Sequence, residues 1–260
     1  METEHRHKKT KVVVIMPAYN AEQTLAKTIR DIPDGTTDEI ILCDDGSEDN
    51  TINIARDLGI TVLAHQKNLG YGANQKTCYD AALKSGADII VMIHPDYQYD
   101  PRVLPFATGF IELGICDIVI GSRIRTRRET LKGGMPLYKY VSNRFLTLLE
   151  NTAFGQNLGD FHSGFRVYKR AVLETLNYHS NSDDFIFDTE FLAQAIFHGF
   201  CVGDIPIPTR YSPEASSINF RRSLKYGIQC IGVIIKYFLH KTRVFNFTIF
   251  AANHETDKKT

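Results

Sequence analysis

The sequence predicts an α/β fold class with a doubly wound, mostly parallel sheet, and two observations support this prediction. Continuous apolar runs rich in β-branched residues alternate with helical segments through the first half of the 260-residue chain, as in strands that are buried on both faces. These runs stop on polar side chains, and ligands of such sheets bind beyond the carboxyl ends of the strands. The length suits either one large α/β domain or one domain with a small appendage.

Five strands are predicted in the first half of the chain. They are the segments KVVVIMP, DEIILCD, ITVLAHQ, ADIIVMIH and CDIVIGSR. Three helices are predicted between them. The first spans about 22–31, the second begins after Ser47 and Asp49, which are typical helix caps, and the third ends at about Ser85. This alternation favours βαβ units, whose strands are parallel.

The parallel repeat ends after Arg123. A basic loop precedes a predicted helix at about 136–151, and GDFHSGFRVYKR is interpreted as a loop that runs into another helix. DDFIFDTEFLAQAIFHG is typical of a helix with an apolar face, and FCVGDIPIPTRY of a strand.

The last part of the chain has a different composition. Between Ala215 and His254 there is no Asp or Glu, while Lys and Arg alternate with large apolar residues. Residues 213–250 are therefore predicted to form a basic amphipathic helical tail. The polar termini, 1–10 and 251–260, are predicted to be disordered.

Composition excludes several classes of protein. Thirty Lys and Arg balance thirty Asp and Glu, so no overall charge favours nucleic acid as a partner. The five cysteines are scattered singly, which suggests neither a disulfide framework nor a zinc site and favours a reducing cytoplasm. No secretory signal is expected, and the most apolar run, 228–239, is too short to span a bilayer.

Polar side chains follow four predicted strands at the points where they end. Because the carboxyl ends of parallel strands meet at one edge of the sheet, these side chains are expected to converge on one site. A turn followed by a helix cap is the alternative for the two neighbouring aspartates. The side chains are Tyr19, Asn20, Asp44, Asp45, Asn68, Asp96 and Gln98.

The segment His94 to Gln98 predicts a metal site. Asp96 and Gln98 are two residues apart and face the same side of an extended segment, and their oxygens suit Mg²⁺ or Mn²⁺. His94 has the same parity, and an imidazole ligand would favour Mn²⁺. The alternative for His94 is a hydrogen-bonded side chain at a strand end.

Arginines after the fifth strand predict an anion site. Arg123, and Arg166 within the SGFR segment, have the planar guanidinium that binds phosphate oxygens in pairs. Ordinary surface ion pairs are the alternative.

Five motifs together resemble a known family. PAYNAEQTL, DDGSEDNT, NLGYGAN, PDYQ and SGFRVYKR occur in the order and spacing of family 2 glycosyltransferases of GT-A fold. Within that family they resemble dolichol-phosphate mannose synthases and bacterial polyprenyl-phosphate sugar transferases. The resemblance covers about residues 10–212. It implies a glycosyltransferase domain at 11–212, with a nucleotide-sugar half at 11–123 and an acceptor half at 124–212.

The resemblance also implies roles for individual residues. Those expected at the nucleotide and sugar are Pro17, Tyr19, Asn20, Glu22, Asp44, Asp45, Asn68, Gly70, Asp96 and Ser163. Those expected at the metal and diphosphate are Asp96 and Gln98, with His94 in the place where the synthases usually carry a first aspartate. Those expected at the reacting centre are Asp96, Arg123, Asp160, Arg166, Asp188 and Glu190.

The expected function is inverting transfer of a sugar from a UDP- or GDP-linked donor to a polyprenyl or dolichyl phosphate, with Mg²⁺ or Mn²⁺ on the diphosphate. Such an acceptor is already anionic, so arginines that position it replace a general base. A sugar hydroxyl acceptor, as in cell-surface polysaccharide synthesis, would need a base, for which Asp188 and Glu190 are candidates. A non-catalytic nucleotide-sugar binding protein is a further alternative.

The predicted tail bears on location and partners. A basic, apolar segment is expected to lie in an anionic headgroup layer, which implies a cytoplasmic protein that is peripheral on the cytoplasmic face of the membrane. A helix that packs on the domain is the alternative. A homo-oligomer or a membrane partner protein are the other partners considered.

Overall fold

The computed structural model describes residues 9–124, 126–132, 134–210 and 220–253. It shows a seven-stranded sheet of order β3-β2-β1-β4-β6-β5-β7. The strands are β1 Val12–Ala18, β2 Glu39–Asp44, β3 Thr61–Ala64, β4 Ile89–Met92, β5 Ile118–Ser122, β6 Arg166–Lys169 and β7 Val202–Pro206. The predicted α/β class and mostly parallel sheet are confirmed.

Helices cover both faces of this sheet. They are α1 Leu25–Arg30, α2 Thr51–Asp57, α3 Tyr71–Lys84, α4 Leu104–Glu112, α5 Arg127–Lys132, α6 Leu137–Phe154, α7 Arg170–Thr175, α8 Phe187–Phe197 and α9 Phe220–Lys241. Short 3₁₀ turns occur at Pro101–Val103, Tyr178–Ser180 and Thr248–Phe250.

The core consists of two apolar layers, one on each face of the sheet. In β1, Val13 and Ile15 belong to one layer, whereas Val14 and Met16 belong to the other. Successive side chains of a strand point to opposite faces. Continuous apolar runs are therefore needed where helices cover both faces, and this is why the central strands are recognisable in the sequence.

The structure corrects the interpretation of GDFHSGFRVYKR. Part of this segment is the strand β6, which lies antiparallel between β4 and β5. Only four residues pair, and two of them, Arg166 and Lys169, are charged. The segment thus lacks the apolar run that marks the other central strands.

The C-terminal helix α9 packs on the domain. Its inner face buries Cys230, Val233 and Tyr237, and the Tyr237 ring contacts the rings of Phe154 and Phe197. The predicted tail is therefore a domain helix over its described part, while 211–219 and most of the two termini lie outside the described residues. Among the helices that the structure describes, none has both the length and the apolar character of a membrane span.

Candidate active site

A cavity of about 1130 Å³ opens at the carboxyl edge of the sheet. Its walls come from the segments after β1, β2, β3 and β4 and from α6, α8 and α9. The structure brings most of the predicted site residues to this cavity. They are Pro17, Tyr19, Asn20, Glu22, Asp45, Asn68, Gly70, His94, Asp96, Gln98, Arg123 and Asp188.

Asn20 and Glu22 connect the loops after β1 and β2. The side chain of Asn20 accepts a hydrogen bond from the backbone N–H of Glu48 at 3.0 Å, and that of Glu22 accepts one from Asn50 at 3.0 Å. In return, Asp49 accepts one from the backbone N–H of Glu22. These bonds fix one wall of the cavity. Tyr19 lies on the same wall and is about half exposed (52%).

Asp44 does not face the cavity. It is fully buried, and its Oδ2 accepts a hydrogen bond from the backbone N–H of Ser47 at 2.8 Å. The turn continues through Gly46, whose φ is +75° and where a Cβ would lie 2.9 Å from the backbone of Asn68. Its carboxylate closes a turn, and Asp44 is not among the residues that line the cavity. A contact between Asp44 and the nucleotide stays a prediction.

Asp45 lies at the cavity and supports the loop after β3. Its carboxylate accepts hydrogen bonds from the backbone N–H groups of Leu69 at 2.8 Å and Gly70 at 3.0 Å. The Nδ1 atom of His65 lies 2.7 Å from the same carboxylate. These contacts hold Asn68 on the cavity wall. A contact between Asp45 and a base stays a prediction.

The segment after β4 forms a turn, so the expected same-side arrangement in an extended segment is wrong. Tyr97 has a φ of +55°, and Asp96 Oδ1 accepts a hydrogen bond from the backbone N–H of Gln98 at 3.0 Å. Both Asp96 and Gln98 nevertheless line the cavity. The turn, rather than the alternation of side chains along an extended strand, brings both residues to the cavity.

His94 contacts a tyrosine. Its Nε2 lies 3.2 Å from the hydroxyl of Tyr71, and the two rings stack with centroids 5.5 Å apart. A Cβ on Gly164 would lie 2.6 Å from the His94 ring. The imidazole is thus held between Tyr71 and a glycine, as in the hydrogen-bonded alternative.

The donor set of this turn fits a divalent cation that is held by a single carboxylate. Asp96 Oδ2 receives no hydrogen bond from the residues that the structure describes, and Gln98 adds an amide oxygen. Mg²⁺ and related ions often bind proteins through one or two carboxylates and take their other ligands from substrate phosphates and water. The residues therefore fit a cation shared with a diphosphate rather than one enclosed by protein.

Arg123, which lines the cavity, forms an ion pair with Asp160. Arg123 Nε and Nη2 donate to the Asp160 carboxylate at 2.7 and 3.2 Å. Asp160 is fully buried and also accepts from Asn143 and from the backbone N–H of His162. Burial alone would raise the pKa of Asp160, but the charge and hydrogen bonds of Arg123 hold it well below its usual range.

Asp160 is consequently a positioning residue. It does not line the cavity, whereas Arg123 does. Its carboxylate fixes the orientation of the Arg123 guanidinium, while its place beside an acceptor stays a prediction.

Arg166 and Ser163 do not reach the cavity, and both are fully buried. The guanidinium of Arg166 donates to the backbone carbonyls of Ser163 at 2.9 Å, Phe161 at 3.2 Å and Asp188 at 3.2 Å. Its Nη2 also lies 3.5 Å from the Asp188 carboxylate. In this structure both residues therefore serve the interior. The role of Arg166 at a phosphate and that of Ser163 at the donor or acceptor stay predictions.

Asp188 and Glu190 point in nearly opposite directions, because two residues of a helix are separated by about 200°. Asp188 lines the cavity and accepts hydrogen bonds from the hydroxyl of Tyr71 at 2.8 Å and from Gln75 at 3.1 Å. Glu190 accepts one from the backbone N–H of Ser182, and burial raises its pKa. Glu190 is therefore excluded as a residue of the cavity.

Sequence reasoning missed part of the cavity wall. The missed side chains are contributed mainly by α3, α6 and α9, which the motifs do not cover. A polar stripe at helical spacing in α6, with Asn143 and Thr147, was a signal that could have been used. The missed wall residues include Tyr71, Lys139, Asn143, His162, Asp184, Arg222 and Tyr226.

Comparisons with known proteins agree with this architecture. Residues 13–176 match the family described as Glycosyl transferase family 2. A dolichyl-phosphate hexose transferase of Haloferax volcanii is 30% identical over 202 residues, which cover 76% of this chain and 82% of that protein. A UDP-N-acetylglucosamine–dolichyl-phosphate N-acetylglucosaminyltransferase of Methanococcus voltae is 28% identical over 218 residues, 77% and 86% of the two chains.

A solved structure shows the same fold. Glucosyl-3-phosphoglycerate synthase from Mycobacterium tuberculosis, in complex with Mn²⁺, UDP and glucosyl-3-phosphoglycerate, superimposes with a TM-score of 0.67 at 19% identity. The match covers 88% of this chain and 80% of that one. The two proteins share the GT-A fold.

The Asp160→Asn substitution should destabilise the protein by roughly 3 kcal/mol, because it leaves the Arg123 charge without its buried partner. Urea unfolding at pH 7 measures this. Asp184→Asn is the matched control, since Asp184 pairs with Lys225, whose side chain is 63% exposed. We expect that control to change stability by at most about 1 kcal/mol.

The direction in which this stability difference changes with pH follows from the lowered pKa of Asp160. The pKa of Asp160 is lowered on folding, so its contribution is complete above the unfolded pKa of about 3.9 and is lost as the pH falls below it. The stability difference between wild type and Asp160→Asn should be constant from about pH 5 to 8 and narrow below about pH 4. Equal stability at pH 7 would contradict this role.

Proposed function

We propose that this chain, which belongs to the family 2 glycosyltransferases, transfers a hexose from a UDP- or GDP-linked donor to a polyprenyl or dolichyl phosphate with inversion at the anomeric carbon. The observation that carries the proposal is an apolar surface on α6 and α9, two helices that also line the cavity. The names of the dolichyl-phosphate transferases among its relatives support the same acceptor.

The apolar surface is formed by the outer faces of α6 and α9. On each helix the exposed residues recur three or four positions apart, so they lie on one side. A contiguous apolar surface of this kind marks an interface rather than ordinary exposure. We call it the apolar stripe; its residues are Leu137, Val141, Phe145 and Leu148 of α6, and Leu224, Ile228, Ile231, Ile235 and Phe238 of α9.

Basic residues lie beside the apolar stripe. Lys139 of α6 and Arg222 of α9 line the cavity, and Arg221 and Lys225 are exposed near the start of α9. Each Lys or Arg near an anionic membrane surface contributes about 1 kcal/mol. We therefore propose that this face lies on a membrane, with the cavity open towards the headgroups. A cytoplasmic location and contacts with a second copy or a membrane partner stay predictions.

The donor occupies the opposite end of the cavity in this proposal. The loops fixed by Asn20, Glu22 and Asp45 form a wall for the nucleotide, and Asp96 and Gln98 would hold Mg²⁺ or Mn²⁺ on the diphosphate. The chemistry supplied by such a bound cation is neutralisation of charge on the departing nucleotide diphosphate. The Mn²⁺ and UDP in the Mycobacterium tuberculosis enzyme support this arrangement.

The protein's own residues then orient the acceptor. The Arg123 guanidinium is fixed by Asp160 and lines the cavity, where it would bind the acceptor phosphate and direct one oxygen at the anomeric carbon. That oxygen is already anionic, so no residue has to remove a proton. Because the hydrogen bonds to Asp160 already order the Arg123 side chain, less side-chain entropy is lost when the phosphate binds.

One observation favours a second candidate, a sugar hydroxyl acceptor. Asp188 lines the cavity and is the remaining candidate base. Its carboxylate, however, already accepts hydrogen bonds from Tyr71 and Gln75 and lies 3.5 Å from Arg166, so its oxygens are engaged by neighbouring side chains of the protein. A non-catalytic binding protein has no support from the family match or from the named relatives.

The decisive experiment measures nucleotide release by the purified protein with a panel of UDP- and GDP-sugars, with Mg²⁺ or Mn²⁺, and with or without undecaprenyl phosphate. We expect one donor to give release that rises at least tenfold with the lipid. Release that responds to sugar hydroxyl acceptors and not to the lipid would overturn the proposed acceptor and assign Asp188 as base.

Asp96→Ala should lower kcat/KM at least about 100-fold, because a metal-bound diphosphate accounts for several kcal/mol of transition-state stabilisation. The control is Asp34→Ala, an exposed loop aspartate outside the cavity. The ratio of Mn²⁺ to Mg²⁺ activity in His94→Ala then tests whether the imidazole is a ligand. Undiminished activity of Asp96→Ala would contradict the assignment.

The wild-type protein should co-sediment with vesicles that contain anionic lipid. The double substitution Ile228→Asp, Ile235→Asp should reduce this binding at least about tenfold, since burial of one Ile side chain contributes about 1.5–3 kcal/mol. Phe106→Asp is the control, because Phe106 is 71% exposed on α4. Equal loss in the control, or none in the double variant, would exclude the apolar stripe as the contact.

A further inference from the structure

Three residues with metal-binding side chains meet behind the cavity wall. They are Glu150 of α6, His162 of the loop before β6, and Cys230 of α9. One ligand atom from each lies within 4.8 Å of the others, and no other such group of three occurs among the described residues. We call them the buried triad.

Glu150 is buried without a hydrogen bond. Its side chain is fully inaccessible, and neither carboxylate oxygen has a hydrogen-bond partner among the described residues. Buried carboxylates are normally paired or bind a metal, because desolvation of the charge is costly. This carboxylate therefore indicates a ligand.

The contact between His162 and Glu150 has the distance of an ion pair but not the direction of a hydrogen bond. His162 Nε2 lies 3.1 Å from Glu150 Oε2, yet neither atom is hydrogen-bonded. On the other side of the ring, Nδ1 lies 2.8 Å from the hydroxyl of Tyr226. A second hydrogen bond of this kind fixes the ring orientation of metal-binding histidines.

Cys230 completes the group. Its thiol is buried, and burial, followed by the negative charge of Glu150, raises its pKa to about 12. A divalent cation at this position would bind the sulfur as a thiolate, beside the Glu150 carboxylate.

The helix that carries Glu150 adds a further polar atom. Thr147 lies one turn earlier on the same face of α6, is fully buried, and its hydroxyl has no partner among the described residues. This stretch of α6 thus carries two buried side chains whose oxygens lack hydrogen-bond partners among the described residues.

We propose that Glu150, His162 and Cys230 bind a zinc ion. Carboxylate oxygen, imidazole nitrogen and thiolate together are a zinc set rather than a Mg²⁺ or Ca²⁺ set. Zinc bonds of about 2.0–2.3 Å in tetrahedral geometry separate two ligand atoms by about 3.3–3.6 Å. The His162–Glu150 distance of 3.1 Å is close to this, and the Cys230 sulfur lies within 4.8 Å of both ligand atoms.

The site would join three elements at the acceptor end of the cavity. Glu150 belongs to α6, Cys230 to α9, and the backbone N–H of His162 donates to Asp160, which holds Arg123. Zinc would therefore fix the wall that positions the proposed phosphate ligand without touching a substrate. Since His162 itself lines the cavity, the ion can enter from there.

Cysteine spacing does not suggest this site, because its ligands are distributed over three distant parts of the chain. The site is also separate from the Asp96 turn, which offers only oxygens and one imidazole. The two sites should therefore prefer different ions: zinc at the buried triad, and Mg²⁺ or Mn²⁺ at the turn.

The test uses full-length protein that has been stripped with a chelator and then titrated with CoCl₂ and ZnCl₂ alone. We expect about one equivalent of Co²⁺ to bind with a near-ultraviolet thiolate charge-transfer band that Zn²⁺ abolishes. We expect Zn²⁺ to raise the Tm, because it binds the folded state. Cys230→Ser should lose the band and the Tm shift, whereas Cys201→Ser, which removes an exposed cysteine, should keep both.

Glu150→Gln and His162→Gln retain the thiol and provide a second test where Cys230→Ser does not fold. Each should weaken Zn²⁺ binding at least tenfold. The proposal is overturned when wild type binds no Co²⁺ with a thiolate band, or when the band survives in Cys230→Ser. In the first case, Glu150 and His162 form an ordinary buried ion pair.

Discussion

The second half of this protein depends on the buried guanidinium of Arg166. It lies on β6, the antiparallel strand between β4 and β5, and donates to three backbone carbonyls. Through Asp188, it reaches Tyr71 of α3, whose hydroxyl lies beside His94 of the turn after β4. One charge thereby connects the sheet, a loop and two helices that surround the cavity.

Such a charge is costly to bury and is kept only where its donors are satisfied. The three carbonyls and the Asp188 carboxylate satisfy it. Arg166 has the largest fully buried side chain, and its contacts therefore fix the positions of the groups around it. Arg123 is different: it also pairs with a buried carboxylate but lies at the cavity. The two arginines have similar chemistry, and only burial separates the structural role of Arg166 from the binding role that we propose for Arg123.

Much of the fold and part of the site could be predicted from the sequence. The parallel strands were recognisable because helices cover both faces of the sheet, which requires continuous apolar runs. Their polar ends do meet at one edge.

Asp44 and Asp45 could not be separated in advance, because which of them faces the cavity depends on the turn through Gly46. Asp188 and Glu190 could not be separated either. Which of them faces the cavity depends on the rotation of α8 about its axis, and the contacts of Asp188 fix that rotation. Strand β6 was missed because its charged residues are satisfied by tertiary contacts, which leave no periodic pattern.

The two faces of α9 have a consequence for how an acceptor would be found. The inner face contributes Tyr226 to the cavity wall, while the outer face carries Ile228 and Ile235 of the apolar stripe. With the stripe on a membrane, the same rigid helix sets both the depth of the protein in the headgroup layer and the height of the reaction centre above it. A lipid acceptor would then be sought by diffusion in two dimensions, and its phosphate would arrive already at the level of Arg123. Catalytic efficiency would depend on the surface density of the acceptor rather than on its bulk concentration.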